Sequence, residues 1–99
     1  MRRTVIVTYR TRPQAAGENA RLIEDVFAAL AAAAPAGLAY AAYRLADSVT
    51  FVHVATLAGP GNPLAALPAF AEFQRELAAR CEEPPAPSDA TLVGSYAAA

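Results

Sequence analysis

The sequence predicts an α+β fold, a four-stranded antiparallel sheet with two helices on one of its faces. Three observations carry this reading. Four segments alternate or are rich in β-branched residues, and two others repeat their apolar residues at helical spacing. Their order is strand, helix, strand, strand, helix, strand. The two middle strands are joined by Ala46, Asp47 and Ser48 alone, too short a connector for a parallel crossover, so they form an antiparallel hairpin. A chain of 99 residues has room for one domain, spanning 1–99, with little interior to spare.

Each element follows from its residues. RTVIVTYR (3–10) alternates and is β-branched, which makes it the first strand, and Pro13 closes it. ENARLIEDVFAALAAAA (18–34) places Leu22, Ile23, Val26, Phe27 and Leu30 on one helical face, with Arg21, Glu24, Asp25 and Ala28 on the other. Arg21 is within reach of Glu24 or Asp25, a pair worth roughly 0.2–0.5 kcal/mol. Pro35 and Gly37 stop this helix. GLAYAAYRL (37–45) and SVTFVHVATL (48–57) are the hairpin strands, and AGPGN (58–62) is a loop. Asn62 and Pro63 suit an N-cap and a first helical position, and Pro68 restarts or kinks the segment. From Pro68 to Arg80 the spacing of Phe70, Phe73 and Leu77 predicts the second helix, with Glu76 and Arg80 as an (i, i+4) pair. Cys81 continues that phase as a small buried hydrophobe. EEPPAPSD (82–89) reads as an extended polar arm and ATLVGSYA (90–97) as the last strand. The resulting βαββαβ order is that of the split βαβ, or ferredoxin-like, folds.

Composition excludes several classes. Net charge is −1, and the eight basic residues, all Arg, are dispersed, so no cationic surface awaits a nucleic acid. RNA-recognition modules share the strand order, but their aromatic consensus strands are missing here. The apolar run near Phe27–Ala36 is far short of the ~20 residues of a membrane span, and the first ten residues lack a secretory apolar core. A cytoplasmic protein is expected, and the absence of Lys fits GC-rich bacterial coding. A lone Cys81 forms no intrachain disulfide or cysteine zinc cluster. With one His and no carboxylate cluster beyond Glu82 and Glu83, which are expected in solvent, neither a metal nor a cofactor is implied. Gly59-Pro60-Gly61 lacks the spacing and lysine of a phosphate-binding loop.

The strands are apolar on both faces. Val5, Val7 and Tyr9 alternate with Thr4, Ile6, Thr8 and Arg10; Phe51, His53, Ala55 and Leu57 alternate with Thr50, Val52, Val54 and Thr56. A sheet with one wet face alternates more cleanly than this. Two helices cover one face, so the other predicts a homodimer joined sheet to sheet, burying roughly 800 Å² per partner.

The only histidine, His53, lies inside the third strand. With a two-residue turn at Asp47 and Ser48, Arg44 faces Phe51, Ala42 faces His53 and Tyr40 faces Ala55. Tyr40, Arg44, Phe51 and His53 then share a face, a patch suited to an apolar pocket with few polar groups. His53 is the candidate catalytic residue, a neutral imidazole able to take a proton from a phenol. Tyr40, Arg44 and Phe51 are the candidate substrate-binding residues, with Arg44 steadying an anion. A core histidine bonded to a neighbour is the alternative. Tyr9 and Tyr40 equally suit packing with satisfied hydroxyls, and Arg10 and Arg44 suit salt bridges near strand ends.

The βαββαβ order, the Ala-rich first helix, the run TFVHVATL and the aromatic pair in PAFAEFQREL resemble the dimeric α+β barrel superfamily, and within it the antibiotic biosynthesis monooxygenase-like (ABM) domains. The resemblance spans nearly the whole chain and is one of layout and hydrophobic spacing. It implies two sheets closing into a barrel with a cavity in each subunit. It also implies a cofactor-independent oxygenase or isomerase of small aromatic or polyketide-like compounds, or a non-catalytic ligand-binding or regulatory homodimer. Many relatives carry Glu and Trp together in the third strand, where this chain has His53 and Val54 and no Trp. Haem-degrading relatives place an iron-ligating His on the second helix, which here holds none. Haem degradation is therefore not implied.

Overall fold

The computed structural model describes residues 2–98. Its order is β1 (Arg3–Thr11), a 3-10 turn at Pro13–Ala15, α1 (Ala16–Ala33), β2 (Leu38–Arg44), β3 (Thr50–Leu57), a second 3-10 turn at Pro63–Ala66, α2 (Pro68–Arg75), α3 (Leu77–Arg80) and β4 (Cys81–Ala90). The four strands form one antiparallel sheet in the order β2-β3-β1-β4. Helices pack on one face only, giving the α+β, ferredoxin-like layout that the sequence predicts. The core lies between them: Tyr9 and Phe51 from the sheet meet Ile23 and Val26 of α1, Phe73 of α2 and Leu77 of α3.

The hairpin has the predicted register, with Tyr40 opposite Ala55, Ala42 opposite His53 and Arg44 opposite Phe51. Its turn is wider than a two-residue one. Leu45 accepts from Ser48 N–H at 2.9 Å and donates to the Thr50 carbonyl at 2.8 Å, leaving residues 46–49 as the loop. The Asp47 carboxylate organises it, accepting from the backbone N–H of Val49 and Thr50 and from the Thr50 hydroxyl. Those bonds, the Thr50 hydroxyl first, hold the Asp47 pKa below its ordinary value.

Three expectations are corrected. The last strand is the Pro-rich segment Cys81–Ala90, not ATLVGSYA, whose residues beyond Ala90 run without regular structure. β4 is an edge strand, where a proline whose nitrogen faces away from the neighbour costs the ladder nothing. Its pairing with β1 puts Pro87 opposite Val7 and shifts register around Arg10. Arg10 there reaches Glu83 at 3.1 Å and Glu82 at 3.6 Å, so those glutamates are exposed but paired. Secondly, the helix expected over Pro68–Arg80 breaks at Glu76 (φ −117, ψ 19). Arg80 consequently turns inward rather than pairing with Glu76, and Cys81, buried as expected, opens β4 instead of ending a helix. Thirdly, Arg21 lies 4.0 Å from Glu18, not beside Glu24 or Asp25.

Asn62 caps the second 3-10 turn, accepting from Leu64 N–H at 3.0 Å. The opposite sheet face, with Ile6, Val52 and Val54, carries no helix. Beside it Leu92 and Val93 stand exposed, as does Tyr96 further along the chain. No helix among the described residues is long and apolar enough to cross a membrane.

Candidate functional site

A cavity of about 380 Å³ lies between the inner sheet face and the segment from Asn62 to Leu77. Its size is at the small end of small-molecule sites. The strands supply Val5, Val7, Tyr40, His53 and Ala55, and the opposite wall includes Leu64, Phe70 and Phe73. Tyr9, Arg3, Asn62 and Gln74 are the other polar lining groups, and no carboxylate lines it among the described residues. Alternation along β3 puts His53 on this face, and opposite it the small Ala42 leaves room beside the ring.

His53 is buried, and both of its ring nitrogens are engaged. Nε2 is 2.8 Å from the Tyr9 hydroxyl and Nδ1 is 2.6 Å from the Tyr40 hydroxyl. The imidazole lies among rings, with centroids of Tyr9, Phe73 and Tyr40 at 5.3, 5.6 and 5.8 Å. Desolvation in this apolar setting lowers its pKa to about 4, so it is neutral at pH 7. The same burial pushes the Tyr40 phenol up to about 12 and the Tyr9 phenol up as well.

The network continues behind Tyr9. Its hydroxyl accepts from Asn19 Nδ2–H at 2.9 Å, and Asn19 Oδ1 accepts from Arg80 Nε–H at 3.0 Å. Arg80 also donates to the Phe73 carbonyl at 2.7 Å, with its guanidinium 5.4 Å from the Phe73 ring. Asn19 is fully buried and Arg80 nearly so, and no carboxylate pairs with Arg80 among the described residues. Bonds to carbonyl oxygens and an aromatic face compensate this buried cation.

Of the sequence-predicted group, the structure brings His53 and Tyr40 together at the cavity. Phe51 lies behind them, fully buried and stacked on Tyr9 at 5.6 Å. Arg44 is at the hairpin end, exposed, donating to the Ser48 carbonyl and resting 5.7 Å over Phe51, away from the cavity. Asn19 and Arg80 were not candidates. An uncapped polar residue inside an apolar helical stripe is the signal that points to Asn19. Arg80 gives none, because its inward turn depends on the break at Glu76. No group of three or more potential metal ligands occurs among the described residues.

No family model and no curated protein matches the chain by sequence. Solved structures do match in shape. Rv0793 from Mycobacterium tuberculosis superposes with a TM-score of 0.77 at 16% identity, over 98% of this chain and 100% of its own. SnoaB, described as a cofactor-independent oxygenase from Streptomyces nogalater, gives 0.69 at 16% identity, over 95% of each chain. A structure described as an antibiotic biosynthesis monooxygenase gives 0.69 at 15% identity, over 95% of this chain and 100% of its own. At such identities the likeness is one of fold: this chain shares the fold of solved structures described as antibiotic biosynthesis monooxygenases.

Proposed function

We propose that the chain is a cofactor-independent oxygenase or isomerase that takes a small aromatic or polyketide-like compound into the cavity beside His53. The observation that carries this reading is a mostly apolar cavity lined by Tyr40 and His53, whose hydroxyl and imidazole are hydrogen-bonded to each other. SnoaB, of the same fold, is described as a cofactor-independent oxygenase, and that description supports the reaction class. In such a reaction the substrate supplies the electrons. A ring CH2 becomes C=O, one atom of O2 enters the product and the other leaves as water with the two hydrogens.

Both ring nitrogens of His53 already hold tyrosine hydroxyls, and of the two Tyr40 alone has no second protein partner among the described residues, so a proton exchanged between ligand and imidazole passes through Tyr40. In this reading Tyr40 is the group that meets the ligand, and His53 acts directly behind it. The chain works as a homodimer through the open sheet face, in a location taken to be the cytoplasm. A panel of anthrone- and naphthol-type compounds, followed by oxygen uptake and product mass, tests the proposal. The expected result is turnover by the wild-type protein that His53→Ala abolishes. Saturable binding without consumption of any compound favours a ligand-binding or regulatory dimer instead.

A further inference from the structure

The buried network has a direction that hydrogen-bond chemistry alone fixes. Arg80 has no acceptor, so the Asn19 atom 3.0 Å from its Nε is the amide oxygen. The Asn19 NH2 therefore faces Tyr9 and donates to its hydroxyl at 2.9 Å. That hydroxyl has one proton, which goes to its other partner, His53 Nε2, at 2.8 Å. Nε2 is then an acceptor, and the neutral imidazole carries its hydrogen on Nδ1, donating to Tyr40 at 2.6 Å. Tyr40 accepts that bond and has its own O–H left over. The hydroxyl makes no second bond to protein among the described residues, and its ring lines the cavity.

We infer that Asn19, fixed by Arg80, is a positioning residue that locks His53 in the Nδ1–H form and thereby makes the Tyr40 hydroxyl a hydrogen-bond donor toward a carbonyl or enolate oxygen of the cavity ligand. This assigns the ligand a feature that the proposed function leaves open, and for the ligand it rests on that reading. Every donor in the chain points from the Arg80 cation toward the cavity, so each bond polarises the next and the final O–H is strengthened as a donor. Electron density building on a ligand oxygen is stabilised there by a donor already oriented toward it. The opposite polarity, in which Tyr40 hands a proton to Nδ1, makes Tyr9 accept from both Nε2–H and the Asn19 NH2 and leaves its own proton without a protein acceptor. Asn19 can offer Tyr9 its oxygen only by facing its NH2 to a guanidinium that cannot accept. The arrangement is built to acidify a ligand site, not to act as a resting base.

Long-range ¹H–¹⁵N spectra of the wild-type protein near pH 7.5 report the tautomer with no ligand present. The expected result is a protonated, pyrrole-type Nδ1 and an unprotonated, pyridine-type Nε2. Asn19→Asp replaces the NH2 by an acceptor that still holds Arg80, and is expected to invert the pair. Tyr9 then donates to Asp, Nε2–H donates to Tyr9, and Tyr40 turns its proton to Nδ1. An Nε2–H wild-type protein overturns the inference, whether or not the variant folds, and so does a folded Asn19→Asp protein with the wild-type tautomer. The ligand half is read with 1-tetralone as the probe. Its carbonyl stretch is expected at lower frequency in the wild-type protein than in Tyr40→Phe or Asn19→Asp, and equal frequencies overturn the assignment of Tyr40 as donor. If 1-tetralone binds none of the three, the ligand-binding reading fails, and the tautomer pair still decides the relay.

Discussion

At the scale of single residues, the site depends on keeping one imidazole uncharged. A second proton on His53 would sit on Nε2 and point at the proton of the Tyr9 hydroxyl, in a setting where burial already disfavours the cation. In the unfolded chain the group titrates near 6.5, and in the folded protein near about 4. Between those values the unfolded state binds a proton that the native state refuses. The stabilisation is complete above about pH 6.5 and is lost as the pH falls toward 4, a total of roughly 3 kcal/mol at ~1.4 kcal/mol for each tenfold difference in proton affinity. Urea unfolding at pH 7.5 and 4.5 should show most of that loss, and His53→Gln should flatten the step; a wild-type midpoint independent of pH over this range contradicts it. Asp47, whose pKa is below its ordinary value, contributes only at lower pH. What could be read from the sequence at this scale was what local register controls. Tyr40 and His53 share a face because the hairpin connector fixes their pairing. Asn19 and Arg80 meet across 61 positions, through the packing of α1 against α3, and no local pattern encodes that contact.

At the scale of elements, the strands and helices that obey periodicity were legible, and those that depend on position in the sheet were not. ATLVGSYA alternates better than EEPPAPSD, yet the latter pairs with β1. Propensity disfavours proline in a strand because of a missing N–H, and an edge strand needs only half of its N–H groups. Likewise, Pro35 and Gly37 mark the end of α1, but the residue that takes the left-handed conformation at its terminus is Ala34 (φ 46, ψ 53), whose N–H bonds the Leu30 carbonyl at 2.7 Å. Glycine is the usual occupant of that position, since a Cβ there costs about 1–2 kcal/mol. Ala34 is exposed and supports no packing that glycine would forfeit. Ala34→Gly should therefore stabilise the protein by about 0.5 kcal/mol, after the added freedom of glycine in the unfolded chain offsets part of the gain. The check is a higher urea midpoint with an unchanged m-value. Ala34→Val should move the midpoint the other way.

At the scale of the whole molecule, the cavity and the open sheet face are separate features with separate tests. The cavity walls come from β1, β2, β3, the Asn62–Leu77 segment and β4 of one chain, so the site near His53 is assembled without a partner. The far face is what asks for one. Val52, Val54 and Ile6 lie there without helical cover, while Leu92, Val93 and Tyr96 are 68%, 99% and 91% exposed. Covering roughly 800 Å² per partner at about 25 cal/mol per Å² gives a gross gain of tens of kcal/mol, of which association and ordering cancel most. Val54 pairs with Ile6 on β1 and Ala41 on β2, near the middle of this face, and its side chain points away from His53. Val54→Arg puts a charge with no designated partner where a second sheet packs in the proposed dimer, a change expected to weaken dimerisation at least 100-fold, or about 2.8 kcal/mol. Sedimentation velocity at micromolar concentration should show the wild-type chain as a dimer and Val54→Arg as a monomer with the wild-type circular dichroism spectrum. The His53 tautomer should be the same in both, since the network that sets it lies on the other side of the sheet. A wild-type chain that sediments as a monomer removes the paired-sheet assembly, and the cavity then stands or falls on its own chemistry.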